Sequence, residues 1–143
     1  MIVRRKIGDV IQGFERHVAF AVNTEGTNTV GLAGKIATFY WPQLFEIGPH
    51  ARRTVLSTRV GSKIFHAMFV HSATDNGWEG SPDDIEDCFN QLRLPTDQEV
   101  ASVTMGAGVV GKLSGADPEA NLAAMERSGA SIVLYELSRQ SQA

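Results

Sequence analysis

The sequence predicts an α/β fold in three layers, a mixed central sheet with helices on both faces. Three observations point there. Apolar, β-branched runs alternate with capped amphipathic segments along the 143 residues. One run, His17–Val22, is almost continuously apolar, as a strand buried on both faces would be. Glycine-containing loops follow two of the strands, where open α/β sheets form their ligand crevices.

Taken in order, Ile2–Ile7, with Ile11 beyond Gly8-Asp9, reads as a first strand and His17–Val22 as a second, interior one. Gly34–Phe45 sets Ile36, Ala37, Phe39, Tyr40 and Leu44 at helical spacing, with Pro42 interrupting near the last turn. Arg53–Val60 and Lys63–His71 flank Gly61-Ser62 and read as a hairpin. Ser81-Pro82-Asp83-Asp84 offers an N-cap, a proline at the first helical position and acids in the first turn, ahead of Ile85, Cys88, Phe89 and Leu92 on one face. Pro95 closes that region, and Glu99–Met105 reads as a strand. Asp117-Pro118-Glu119 then caps a helix that Gly129 stops, and Ser131–Leu137 completes the sheet. The expected order is β-β-α-β-β-α-β-α-β, with residues 1–138 as a single domain and 139–143 as a loose polar tail.

A hydrophobic share of 43% supplies a core that folds without staples. The formal charge of -3 argues against a broad electrostatic footprint for nucleic acid or an anionic membrane. One cysteine, Cys88, excludes an internal disulfide and fits a reducing compartment. The start, Met1-Ile2-Val3-Arg4-Arg5-Lys6, turns polar too soon for a signal peptide, and no apolar run has the length to span a bilayer, so a cytoplasmic protein is expected.

Function is most legible in the loops. Val22–Lys35 runs from a strand through Asn23, Thr24 and Asn28 to Gly31, Leu32, Ala33 and Gly34 at a helix start, where backbone N–H groups and the helix dipole favour an anion. A second loop, Gly106, Ala107, Gly108, Val109, Val110 and Gly111, follows a later strand. The two loops together suggest one phosphate-bearing ligand held between them. The Gly-x-Gly-x-x-Gly spacing of the second loop does not mark an oxidoreductase, because the acid expected about twenty residues on would be Glu126, inside a helix. His66 and His71, five apart on a strand, face opposite sides and cannot chelate one metal; no metal or cofactor is expected. His71, Ser72 and Asp75 lack a nucleophile elbow. Trp78 reads as sealing the following helix, and the Tyr40-Trp41 pair as core.

These pieces in this order, Gly8-Asp9-Val10, Ala19–Asn23 leading to Gly31–Ala37, Gly106–Gly111 and a terminal Ile132–Leu137 strand, resemble the macrodomain family over nearly the whole chain. Val-Gly-Leu-Ala-Gly-Lys-Ile-Ala is similar to a run in its ADP-ribosyl-glutamate hydrolases and in the antitoxin macrodomains that strip ADP-ribose from DNA. The resemblance implies a pocket for ADP-ribose. Asp9 would receive the adenine amino group, with the backbone of Val10 against the ring; Asn23 would lie beside the distal ribose, and Gly31–Ile36 and Gly106–Gly111 around that ribose and the diphosphate. Lys35 matches the lysine that attacks the distal ribose, yet Val109 and Val110 stand where an assisting acid would be. About two extra residues between Asn23 and Gly31 leave the place of Asn28 open. The implied partner is ADP-ribose or an ADP-ribosylated macromolecule, nucleic acid only if so modified. Hydrolysis at the distal ribose, non-catalytic reading, dephosphorylation of ADP-ribose 1''-phosphate, and a scaffold with a filled pocket all stay open at this point.

Overall fold

The computed structural model of the chain describes residues 1–28, 30–74, 77–108 and 115–136, without the side chains of 73, 74 and 77–79. The tail, Asp75, Asn76 and the side chain of Trp78 therefore lie outside the described residues. The elements are β1 (Ile2–Ile7), β2 (His17–Asn23), α1 (Gly31–Phe39), β3 (Val55–Val60), β4 (Lys63–Thr74), β5 (Gly77–Glu79), α2 (Pro82–Gln91), β6 (Val100–Ser102), α3 (Pro118–Arg127) and β7 (Ile132–Glu136). Six strands pair in the order β1-β7-β6-β2-β4-β3, and β5 adds to the end of β4. All pairings along this sheet are parallel except β3 with β4, so the sheet is mixed as the sequence predicts.

The alternation of side chains across the strands builds two cores. Val18, Phe20, Val22, Phe65, Ala67 and Phe69 face α1 and pack with Ile36, Ala37 and Leu44. Ala19, Met68, Val70, Leu134 and Ile132 face the other way and pack with Ile85, Cys88 and Phe89 of α2 and Ala124 and Met125 of α3. Helix starts are set locally. Asp84 accepts from the Ser81 N–H at 2.9 Å and is held below the usual carboxylate range, although burial opposes this; the Ser81 N–H and Arg53 outweigh it. Asp117 accepts from the Ala120 N–H at 3.1 Å.

The predicted Gly34–Phe45 helix is instead two pieces. α1 begins earlier, at Gly31, and ends at Phe39, and a 3-10 helix spans Pro42–Glu46. Proline has no N–H to continue the ladder, so the chain turns and restarts with Pro42 at its first position. As a result Tyr40 and Trp41 both pack on the α1-side core, which continuous helical geometry would forbid. Two strands are shorter than predicted: β3 starts only after Arg53, which adopts φ 73, and β6 ends at Ser102, whose hydroxyl donates to the Ala19 carbonyl. At the outer edge, β1 carries Arg4, Arg5 and Lys6, paired with Glu99, Glu136 and Glu15.

On the α2/α3 side a polar chain crosses the sheet. Ser57 Oγ lies 2.6 Å from His66 Nδ1, His66 Nε2 lies 2.9 Å from His17 Nδ1, and His17 Nε2 lies 2.9 Å from Gln98 Oε1. Burial, reinforced by His17, pushes His66 down to about 4 from 6.5. The unfolded chain thus takes this proton more readily than the folded one. The stability supplied by neutral His66 is complete above about pH 6.5 and is lost as pH falls toward 4, on the order of 3 kcal/mol across that window. Denaturant unfolding of the wild-type chain and of His66→Gln at both ends of the window should show a smaller acid loss in the variant; equal losses would place the acid sensitivity elsewhere.

Candidate functional site

Because β1, β7, β6, β2 and β4 run in parallel, their carboxyl ends share one edge of the sheet. Three of the segments singled out in the sequence emerge there: Gly8-Asp9 after β1, residues 24–28 after β2 and residues 103–108 after β6. This is where a ligand crevice forms in such sheets.

The loop after β2 is held by its own side chains. Asn23 Oδ1 accepts from the N–H groups of Gly26 (2.9 Å) and Thr27 (3.1 Å), and its Nδ2 donates to the Thr27 carbonyl at 2.6 Å. Asn23 thus spends most of its hydrogen-bonding capacity inside the loop, with one amide hydrogen left over. Asn28 is buried and donates to the Leu44 carbonyl at 3.2 Å, tying the loop to the 3-10 helix. Thr24 donates its N–H to the His71 carbonyl and its hydroxyl to Ser72 Oγ, and its carbonyl accepts from the His50 N–H. Gly26 has φ +76, and a Cβ there would fall 1.9 Å from the Gly48 carbonyl oxygen. The loop is therefore packed against residues 47–50.

At the start of α1, Val30 supplies no side-chain cap and no acid sits in the first turn. The first backbone bond of this turn runs from the Gly34 N–H to the Val30 carbonyl at 3.1 Å. Helix geometry leaves the N–H groups of Gly31, Leu32 and Ala33 without intrahelical acceptors, and the dipole points its positive end at them. Gly31 itself has φ +68. Ala33, Gly34 and Ile36 are buried toward the sheet, so the ligand-facing potential of this segment lies in its backbone.

Lys35 is exposed one turn in, and its Nζ donates to Asp9 Oδ2 at 2.9 Å. Asp9 Oδ1 accepts from the Ile11 N–H at 2.9 Å. Burial acts to raise the Asp9 carboxyl, but Lys35 and the Ile11 and Gln12 N–H groups outweigh it and hold the group below the usual carboxylate range. Val10 is buried, leaving only its backbone available at the edge. Asp9 and Lys35, which the family resemblance assigns to opposite ends of a ligand, are thus in direct contact. A cation near a helix start is disfavoured by the dipole, and the Asp9 carboxylate offsets this.

In the second loop, Gly106 has φ 85 and the Ala107 N–H donates to the Thr104 carbonyl, forming a turn that leaves Ala107 and Gly108 exposed. Buried Asn121 of α3 donates to the Met105 carbonyl at 2.9 Å and anchors the loop base. Sequence reasoning missed Asn121, which carries no motif. Val109, Val110 and Gly111 lie outside the described residues.

No protein family model matches the chain, and no curated protein matches it by sequence. Solved structures share its fold. A Bacteroides thetaiotaomicron protein of unknown function superposes with a TM-score of 0.71 at 15% identity, over 94% of this chain and 97% of that one. The macrodomain of Mycobacterium tuberculosis DarG does so with a TM-score of 0.66 at 17% identity, over 96% and 99%. An Oceanobacillus iheyensis macrodomain variant with ADPR gives 0.63 at 14% identity, over 95% and 85%. The fold is therefore that of the macrodomains. At these identities the likeness is one of architecture.

Replacing Gly26 by Ala sets both a strained φ and a backbone clash against the loop. The Gly26→Ala protein should be destabilised by about 2 kcal/mol or more in denaturant titrations, and a loss under a few tenths would show that the 23–28 loop moves freely.

Proposed function

We propose that the chain binds ADP-ribose or an ADP-ribose derivative along the carboxyl edge of its sheet. The observation that carries this reading is the convergence there of the acceptor Asp9, the uncapped N-terminus of α1 and the turn at Gly106. A carboxylate suits an amino-bearing base, and two sets of backbone N–H groups suit a diphosphate. The fold likeness to macrodomains, among them one solved with ADPR, adds an analogy at the level of fold.

The Lys35–Asp9 pair bears on turnover. A protonated lysine held by a carboxylate has no lone pair for attack at a sugar carbon. In this arrangement Lys35 stands at the base end of the ligand, away from the distal ribose. That favours a non-catalytic reader of ADP-ribosylated protein or nucleic acid over a lysine-dependent glycohydrolase. An adenine amino group can join Lys35 at the Asp9 carboxylate, whose oxygens have lone pairs beyond those used by Lys35 and the Ile11 N–H.

Calorimetric titration with ADP-ribose, with AMP and NAD as comparators, tests the binding. Saturable heat with preference for ADP-ribose is expected, and neither heat nor a melting shift at high ligand would give the scaffold reading the lead. Asp9→Ala should weaken ADP-ribose binding roughly tenfold or more while melting near the wild-type temperature, because a half-exposed ion pair contributes under about 1 kcal/mol to folding; unchanged affinity would sink the adenine assignment. Incubation of Lys35→Ala with ADP-ribosylated protein separates reader from enzyme. A wild-type release rate that the variant lacks, with binding retained, would restore Lys35 as a nucleophile.

A further inference from the structure

A second constellation lies away from Asp9, on the opposite face of the sheet from α1. The Ser57–His66–His17–Gln98 chain has one consistent direction. Gln98 Oε1 only accepts, so His17 Nε2 carries a hydrogen; with a single hydrogen on the His17 ring, its Nδ1 accepts from His66 Nε2, which leaves His66 Nδ1 to accept from the Ser57 hydroxyl. The imidazole centroids are 5.2 Å apart with planes within 17°. That separation matches one N–H···N bond plus two ring radii, so the rings meet edge to edge and nearly coplanar, as a directional hydrogen bond needs. Both histidines are buried, while Ser57 is exposed on the edge strand β3.

The backbone of β3 adds a donor. The Phe69 N–H bonds to the Thr54 carbonyl, and the antiparallel register continues Leu56 with Ala67 and Thr58 with Phe65. Alternation then turns the N–H of Ser57 toward the open edge, beyond which no further strand pairs among the described residues. Arg59, two residues on and on the same face as Ser57, is exposed and lines an open concavity of about 550 Å³ with Phe14, Arg16 and Lys63. Neither Arg16 nor Arg59 has an ion-pair partner among the described residues, and Phe14 is fully exposed.

We propose that Ser57 is a nucleophile activated by His66, at a hydrolytic site that takes small esters bearing an anionic group. Ser57 Oγ attacks the ester carbonyl carbon as its proton passes to His66 Nδ1, and the Ser57 N–H faces the carbonyl oxygen as it becomes negative. The carbon–oxygen bond to the alcohol breaks, and the alcohol leaves with that proton. Water then attacks the acyl-serine, returning a proton through His66 to Ser57 and releasing the carboxylic acid. His17 is a positioning residue that fixes the tautomer and orientation of His66. Arg59 supplies the charge complement for the anionic group.

The test is labelling of the whole chain by a fluorophosphonate, in which Ser57 Oγ bonds to phosphorus and fluoride departs, followed by peptide mass spectrometry. An adduct on Ser57 is expected, absent in Ser57→Ala and forming roughly a hundredfold more slowly in His66→Gln. His17→Gln, which can still accept from His66 Nε2, should retain labelling that His17→Phe loses. No adduct on Ser57 in the wild-type chain overturns the proposal, as does labelling that His66→Gln leaves unchanged. A second reading keeps His66 intact: Ser57→Cys should react with iodoacetamide faster than Ser62→Cys, an exposed position on the neighbouring turn. Equal rates would overturn the proposal too.

Discussion

The parallel pairing of β2 on both sides is the constraint on which the rest depends. β2 lies between β6 and β4, with Val18, Ala19 and Phe20 fully buried, so it has no solvent face and no free edge. Parallel neighbours cannot be joined by tight turns, and their connections must cross the sheet, carrying α1 on one face and α2 and α3 on the other. The same directionality brings Asp9, the start of α1 and the Gly106 turn to one edge. Architecture and candidate site are consequences of one pairing choice.

Within that edge, short-range polar contacts decide which residues are available to a ligand. Asn23, Thr24 and Asn28 look like binding residues by type, yet each is engaged in holding the loop or joining it to neighbouring segments. The N–H groups of Thr24, Gly26 and Thr27 are also taken up within the fold, so the free backbone donors of this segment are those at the start of α1. Preorganised N–H groups bind an anion without the entropy of ordering a mobile segment. Asp9 and Lys35 satisfy one another at 2.9 Å, so a ligand entering here meets a pair that is already formed.

The long-range features were legible where patterning is strict. His17–Val22 announced an interior strand by its unbroken apolar run, and Ser81-Pro82-Asp83-Asp84 announced a helix by its cap chemistry, because both signals are local and strong. Boundaries moved where tertiary contacts intervene: the interruption expected at Pro42 separates α1 from a 3-10 helix that starts there, and β6 ends at Ser102, whose hydroxyl turns back to Ala19. The sequence could place Asp9 and Lys35 in separate loops but not in contact, since spacing along the chain says nothing of how β1 and α1 meet. His17 was invisible for the same reason. It acquires meaning only through cross-strand register with residues 49 and 81 positions away.

The cationic stripe on β1 has a consequence for how copies of this chain coexist. β1 is an outer strand, and Arg4, Arg5 and Lys6 occupy its middle in succession. Another sheet edge approaching in register would bring a second cationic row against the first, and like charges directly opposite one another repel. Their glutamate partners, Glu99, Glu136 and Glu15, come from within the chain, while the Arg4 and Arg5 side chains stay about half exposed and meet an approaching edge first. The stripe acts as a gatekeeper, guarding a sheet rich in valine, isoleucine and phenylalanine against open-ended polymerisation through this edge.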